Sequence, residues 1–94
     1  MQKHIKNYLS YYSIEQEQVR CEVCGLPAVD IHHIQPRSKF GKKTKYLQDD
    51  ISNLIALCRK DHEFAHWIWW KHTKEYLQEI HNNNLYESYN TWRS

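Results

Sequence analysis

Apolar and polar positions follow different periods in successive blocks of this chain, and each period predicts an element. From residue 2 to residue 12, Ile5, Tyr8, Leu9 and Tyr12 recur at helical spacing, which predicts a short amphipathic helix. Ser13 followed by Gln16 has the spacing of a cap and predicts a brief second helical turn. Cys21-Glu-Val-Cys24-Gly25 reads as a tight turn in which Gly25 is free to take positive φ, and Pro27 ends it. Residues 28–34 are rich in β-formers and predict a strand. Residues 35–50 hold Pro36, Gly41 and several lysines and read as an exposed loop. Leu54, Ile55 and Leu57 mark a second strand within 51–57. No Gly or Pro interrupts residues 59–81, so the longest helix is expected there, ended by Asn82-Asn83-Asn84. Residues 85–92 then predict a short terminal helix packing back through Leu85, Tyr86, Tyr89 and Trp92. No repeat, linker or low-complexity tract appears, so residues 1–94 are expected to form one α+β domain.

A chain of 94 residues buries a limited core and commonly needs a staple. Its three cysteines, an odd number with two in a Cys-x-x-Cys pair and no secretory leader, favour a metal over a disulfide framework. No apolar run approaches the roughly 18 residues of a membrane span. A reducing cytoplasmic location and no membrane partner are therefore expected. The net charge of +2 is uninformative, but Arg37, Lys39, Lys42, Lys43 and Lys45 cluster with no acid among them. Such a local cluster attracts phosphate, although it also suits a merely solvated loop.

Cys21 and Cys24 supply half of a tetrahedral zinc site on one turn, and Cys58 at the end of the second strand supplies a third ligand. Asp61 stands three residues on, where a second Cys-x-x-Cys would place its cysteine, so one helical turn brings it to the same ion. A structural Zn2+ on Cys21, Cys24, Cys58 and Asp61 is expected, held less tightly than by four thiolates.

Seven histidines are more unusual than the charge. Adjacent His32 and His33 on a strand point in different directions, so one is free to bind a cation while the other accepts a proton. Asp30, two residues before His32, shares its face and is expected to orient it. His62 and His66, four apart on a helix, share a face, so His32, His62 and His66 together suit one divalent cation. Asn53 before the second strand is suited to tie backbone groups on both sides and fix the loop. Trp67, Trp69 and Trp70 after His66 are expected mostly to pack in a core or against another chain, with stacking on an unpaired base as the alternative.

The succession Cys-x-x-Cys-Gly, Asp-Ile-His-His-Ile, Asn-Leu-Ile-Ala-Leu-Cys and Asp-His resembles the HNH endonuclease family, most closely its small stand-alone members with a zinc knuckle. The resemblance covers about residues 21–66. It implies a ββα-metal core, a hairpin crossed by one helix, here flanked by N- and C-terminal helices. It also implies His33 as general base, His32 as a metal ligand, Asn53 as the middle Asn, His62 as the last His, and Asp30 as a carboxylate found beside the His pair. Asp61 departs from members that carry a second Cys-x-x-Cys. The expected activity is metal-dependent hydrolysis of DNA phosphodiester bonds, leaving 5′-phosphate and 3′-hydroxyl ends. In it His33 takes a proton from water, Arg37 grips phosphate, and Lys39, Lys42, Lys43 and Lys45 follow the DNA backbone. Imidazole-rich ligation suits Mn2+, Ni2+, Co2+ or Zn2+, and the resemblance adds Mg2+. Nicking or double-strand cleavage, sequence preference and oligomeric state (a homodimer included) are not written in these residues. The alternative reading is a non-catalytic, zinc-stabilised domain that binds nucleic acid or protein.

Overall fold

The computed structural model describes residues 2–66 and 73–93, with side chains up to residue 86. Helix α1 (Lys3–Tyr12) buries His4 and Tyr8 on one face, four residues apart, with Ile5, Leu9 and Tyr12 beside them. It stops at Ser13, which takes a left-handed conformation at φ 54°, and Ile14 N–H returns to the Leu9 carbonyl at 3.2 Å. Ser13 therefore ends one helix rather than capping the next. The following turn, Gln16–Gln18, is entered at Glu15, whose N–H donates to Gln18 Oε1.

Strands β1 (Asp30–His33) and β2 (Leu54–Leu57) form an antiparallel pair with Asp30 opposite Leu57 and His33 opposite Leu54. Both are shorter than expected. Residues 51–53 form a turn of 3₁₀ helix instead of strand because the Asp50 side chain accepts from the Ser52 N–H and caps it. All four residues of β2 are buried, since both faces of the hairpin are covered. Leu54 and Ala56 meet Tyr8, Val19 and Ile31 on the α1 side, whereas Ile55 and Leu57 meet Cys21, Ile34, Cys58 and Leu77 on the other. The two-residue period of a strand thus explains why this segment is a continuous apolar run.

Helix α2 (Arg59–His66) packs across both strands, giving a strand–strand–helix unit. A single helix from 59 to 81 does not form. Thr73 is outside helix, and its Oγ1 accepts from Tyr76 N–H at 3.1 Å, starting α3 (Lys74–Arg93). Nor do the three asparagines end a helix: α3 runs through them to Arg93. Asn82 Oδ1 accepts from Gln78, and Asn84 Nδ2 donates to Glu22 Oε1, so both side chains are occupied away from the helix backbone that they would otherwise compete for. Leu77 and His81, one turn apart, are the buried stripe of α3, while Tyr86 is exposed rather than packed back. The readings made for Trp67, Trp69, Trp70, Tyr89 and Trp92 lie outside the described residues and side chains. Among the described residues no helix is long and apolar enough to cross a membrane.

Candidate active site and metal centres

The knuckle is built by backbone before any side chain acts. Cys21 N–H donates to Leu26 O, Gly25 N–H to Cys21 O at 2.9 Å, and Gly25 sits at φ +81°, where a side chain would be strained. Glu22 N–H donates to Ala56 O, which fastens the turn to β2. The donor atoms of Cys21, Cys24, Cys58 and Asp61 then lie within 4.8 Å of one another. Cys24 Sγ stands 3.6 Å from Cys58 Sγ, and Asp61 Oδ2 stands 3.1 Å from both Cys21 Sγ and Cys58 Sγ. Tetrahedral zinc with Zn–S near 2.3 Å sets sulfurs about 3.8 Å apart, so the donor set fits that ion closely. Burial pushes the Cys21 thiol up to about 12 and the Cys58 thiol upward as well. A bound cation reverses that preference, because thiolates and the buried Asp61 carboxylate need a compensating positive charge. The four residues can therefore hold a metal.

The second cluster follows from strand alternation. His32 stands opposite Ile55 and meets α2, with its ring 5.5 Å from that of His62 and 4.8 Å from that of His66. His62 Nε2 and His66 Nε2 are 3.0 Å apart, and one nitrogen from each of the three rings lies within 4.8 Å of the others. Nitrogens sharing one cation at about 2.05 Å sit roughly 2.9–3.4 Å apart; the His62–His66 pair has that spacing, and the His32 nitrogen lies within 4.8 Å of both, so the three could hold a metal. Burial lowers His32 to about 3, helped by the neighbouring imidazoles of His66 and His62, and burial also lowers His62 despite the opposing pull of Asp30. Both shifts favour the neutral imidazole of His32 and His62, the form that can offer a cation a ring lone pair. Asp30 departs from expectation: its Oδ2 lies 3.0 Å from His62 Nε2, so it pairs with the helix histidine and not with His32. Strand residues two apart do share a face, but α2 lies over that face and offers the nearer partner.

His33 points to the other side of β1. Its Nε2 is 2.8 Å from Asp49 Oδ1, and its ring lies 4.5 Å from that of His4 on α1. Burial alone would raise Asp49, but the hydrogen bonds from His33 and Gln48 and the nearby charges of His33 and Arg37 together outweigh it and hold the carboxyl below its ordinary value. Burial lowers His4, with further contributions from His33 and Arg37. Asn53 is buried and braces the loop as expected: its Oδ1 accepts from Gln35 N–H at 2.7 Å, and its Nδ2 donates to Gln35 O and Gln48 O.

These groups open on one cleft of about 440 Å³ whose lining includes His4, Asp30, His32, His33, His62 and His66. Arg37, in a short turn over 37–39, lines the same cleft. Lys39 lines a neighbouring one beside His32 and His66, whereas Lys42, Lys43 and Lys45 are exposed and line neither. Sequence reasoning missed His4 and Asp49 at this site. For His4 a signal existed, since it shares a helical face with Tyr8. Asp49 had none, because only the path of the long loop returns it to His33. Glu22 and His81, which form a buried pair behind the knuckle, were also missed.

A family model described as HNH endonuclease matches residues 21–67. The chain is also similar to a mitochondrial DNA mismatch repair protein mutS homolog of Sarcophyton glaucum, with 32% identity over 75 residues. That alignment covers 72% of this chain and 8% of the relative, so the chain spans less than a tenth of that protein's length. No solved structure matches this chain. The matched residues contain the knuckle, the hairpin and α2, and the pairing of β1 with β2 under α2 is the ββα arrangement expected of that model.

Proposed function

This chain belongs to the HNH endonuclease family, and from that membership we propose that it hydrolyses DNA phosphodiester bonds with His33 as general base. The observation that carries the reading is the division of labour along β1. His32 joins His62 and His66 in a cluster fit for a divalent cation, while His33, the next residue, stands apart from it in the same cleft. A divalent cation on His32, His62 and His66 supplies charge stabilisation at the phosphate and the departing 3′-oxygen when bound. Mn2+, Ni2+, Zn2+ and Mg2+ are the candidates for that position, and Zn2+ for the cysteine set.

The chain's own residues do the rest. His33 removes a proton from water, for which an imidazole is suited near neutral pH. Arg37, lining the cleft, binds a phosphate oxygen through its guanidinium. Asp30, whose Oδ2 lies 3.0 Å from His62 Nε2, adds negative charge beside the helix end of the cluster. Asn53 holds the two ends of the long loop together through Gln35 and Gln48, which keeps Arg37 over the cleft. Lys39, Lys42, Lys43 and Lys45 add sequence-independent attraction to the DNA backbone. The relative's name attaches it to DNA mismatch repair, which favours DNA as the polymer here. Three cysteines kept as ligands suit a reducing compartment such as the cytoplasm.

Supercoiled plasmid incubated with the protein and Mg2+, Mn2+ or Ni2+ is expected to be nicked or linearised, and excess EDTA is expected to stop it. His33→Ala is expected to cut at least roughly 100-fold more slowly. Undiminished cutting by His33→Ala would remove the assigned base.

A further inference from the structure

The base histidine is held from two directions that the family match does not single out. Asp49 Oδ1 lies 2.8 Å from His33 Nε2, and both side chains are largely buried, at 12% and 14% exposure. An ionised carboxylate only accepts hydrogen bonds, so the proton between them belongs to Nε2, which leaves Nδ1 with its lone pair. No other hydrogen bond engages the His33 ring among the described residues. Helix α1, which precedes the matched residues 21–67, closes the arrangement. His4 presses its ring against His33, and three residues on, Asn7 Nδ2 donates to the Asp49 backbone carbonyl at 2.9 Å. Residues three apart share a helix face, so one side of α1 grips both the histidine and the residue that orients it.

We propose that Asp49 is a positioning residue for strand cleavage. It holds His33 as the Nε2–H tautomer so that Nδ1 faces the attacking water, and α1 clamps the pair through His4 and Asn7. The proposal rests on the reading of His33 as the base. In the step, the water oxygen bonds to phosphorus while its O–H bond breaks and the proton passes to Nδ1. The resulting imidazolium keeps its Nε2–H on Asp49, whose charge stabilises it. The P–O3′ bond breaks, and the departing oxygen takes a proton from solvent.

The test uses the full chain and supercoiled plasmid with the metal ion that supports cutting. Asp49→Asn is expected to lower kcat roughly 10- to 1000-fold while KM for DNA moves less than about threefold, because orientation of a base acts on the chemical step. Nitrogen-15 spectra of the ring should show the Nε2–H tautomer at His33 in the natural chain and a mixture of tautomers in Asp49→Asn. Asn7→Ala, which frees the Asp49 backbone and leaves its carboxylate, should lower kcat several-fold. In His33→Ala rescued by free imidazole, Asp49→Asn should add less than a twofold loss, whereas a merely structural Asp49 would weaken the rescued enzyme equally. If His33→Ala is inactive but Asp49→Asn keeps kcat within twofold, or keeps the Nε2–H tautomer, the positioning role is overturned and the base survives. If His33→Ala cuts like the natural chain, the base assignment falls and this role falls with it.

Discussion

Replacing Glu22 with glutamine should destabilise the fold well beyond what a one-atom change suggests. Glu22 lies between the two knuckle cysteines, and its side chain is 7% exposed. Oε2 accepts from the Tyr8 hydroxyl at 2.7 Å and from Ala56 N–H at 3.3 Å. Oε1 accepts from His81 Nδ1 at 2.8 Å and from Asn84 Nδ2 at 3.0 Å. The carboxylate thus gathers α1, β2 and α3 on one buried charge, and His81, whose other ring nitrogen faces Ile51 O, is fully buried. Glutamine keeps one acceptor oxygen and turns an NH2 group toward two of the four donors. A buried donor left without an acceptor costs about 1–3 kcal/mol, so Glu22→Gln should lose roughly 2–5 kcal/mol. For a domain near this size that lowers Tm by roughly 10–30 °C. Urea unfolding followed by far-ultraviolet circular dichroism, at saturating zinc, measures it. Tyr8→Phe supplies the control: alone it should cost about 1.5–3 kcal/mol, and in a Glu22→Ala background, which removes both acceptor oxygens, less than half of that. A loss below about 0.5 kcal/mol for Glu22→Gln, or strict additivity of Tyr8→Phe with Glu22→Ala, would refute the hub.

Other outcomes follow from the same contacts. Metal-free protein should be most stable between about pH 6.5 and 9. Below that window the unfolded chain takes up protons that folded His4, His32 and His62, all lowered by burial, refuse until pH falls further, for His32 to about 3. Above it the unfolded thiols ionise while folded Cys21, raised to about 12, and Cys58 stay protonated, so stability falls again. Urea midpoints across pH in EDTA should trace this dome, and adding zinc should abolish the alkaline fall. Asp61→Cys should tighten zinc binding at least roughly tenfold in a chelator competition, because thiolate suits zinc better than carboxylate, and weaker binding would remove Asp61 from the ligand set. Asn53→Ala breaks three hydrogen bonds of a buried side chain and should cost roughly 2–4 kcal/mol in chemical denaturation. It should also speed amide exchange in residues 35–50, and unchanged exchange there would count against the brace.

Local chemistry was legible wherever the spacing of a few residues decides what can meet. Cys21 and Cys24 on one turn, Cys58 and Asp61 one helical turn apart, and His62 and His66 at four residues each follow from short-range geometry, and the structure gathers each set. The alternation of a strand separated His32 from His33, and the apolar run from Leu54 to Leu57 marked the strand covered on both faces. Asn53 could be read as a brace because an amide beside a loop has few other uses.

Tertiary structure alone decided the contacts that join distant segments. Asp49 reaches His33 across 16 residues, Asn7 reaches Asp49 across 42, and His81 reaches Glu22 across 59. No periodicity encodes such pairs, because they depend on how a loop folds back and how two helices seat on one hairpin. The same seating set the path of the C-terminal third. Intrinsic preference among Thr, Asn and Lys differs by only a few tenths of a kcal/mol per residue, too little to choose a helix boundary. A capped start at Thr73, and a buried anchor at His81 four residues after Leu77, outweigh it.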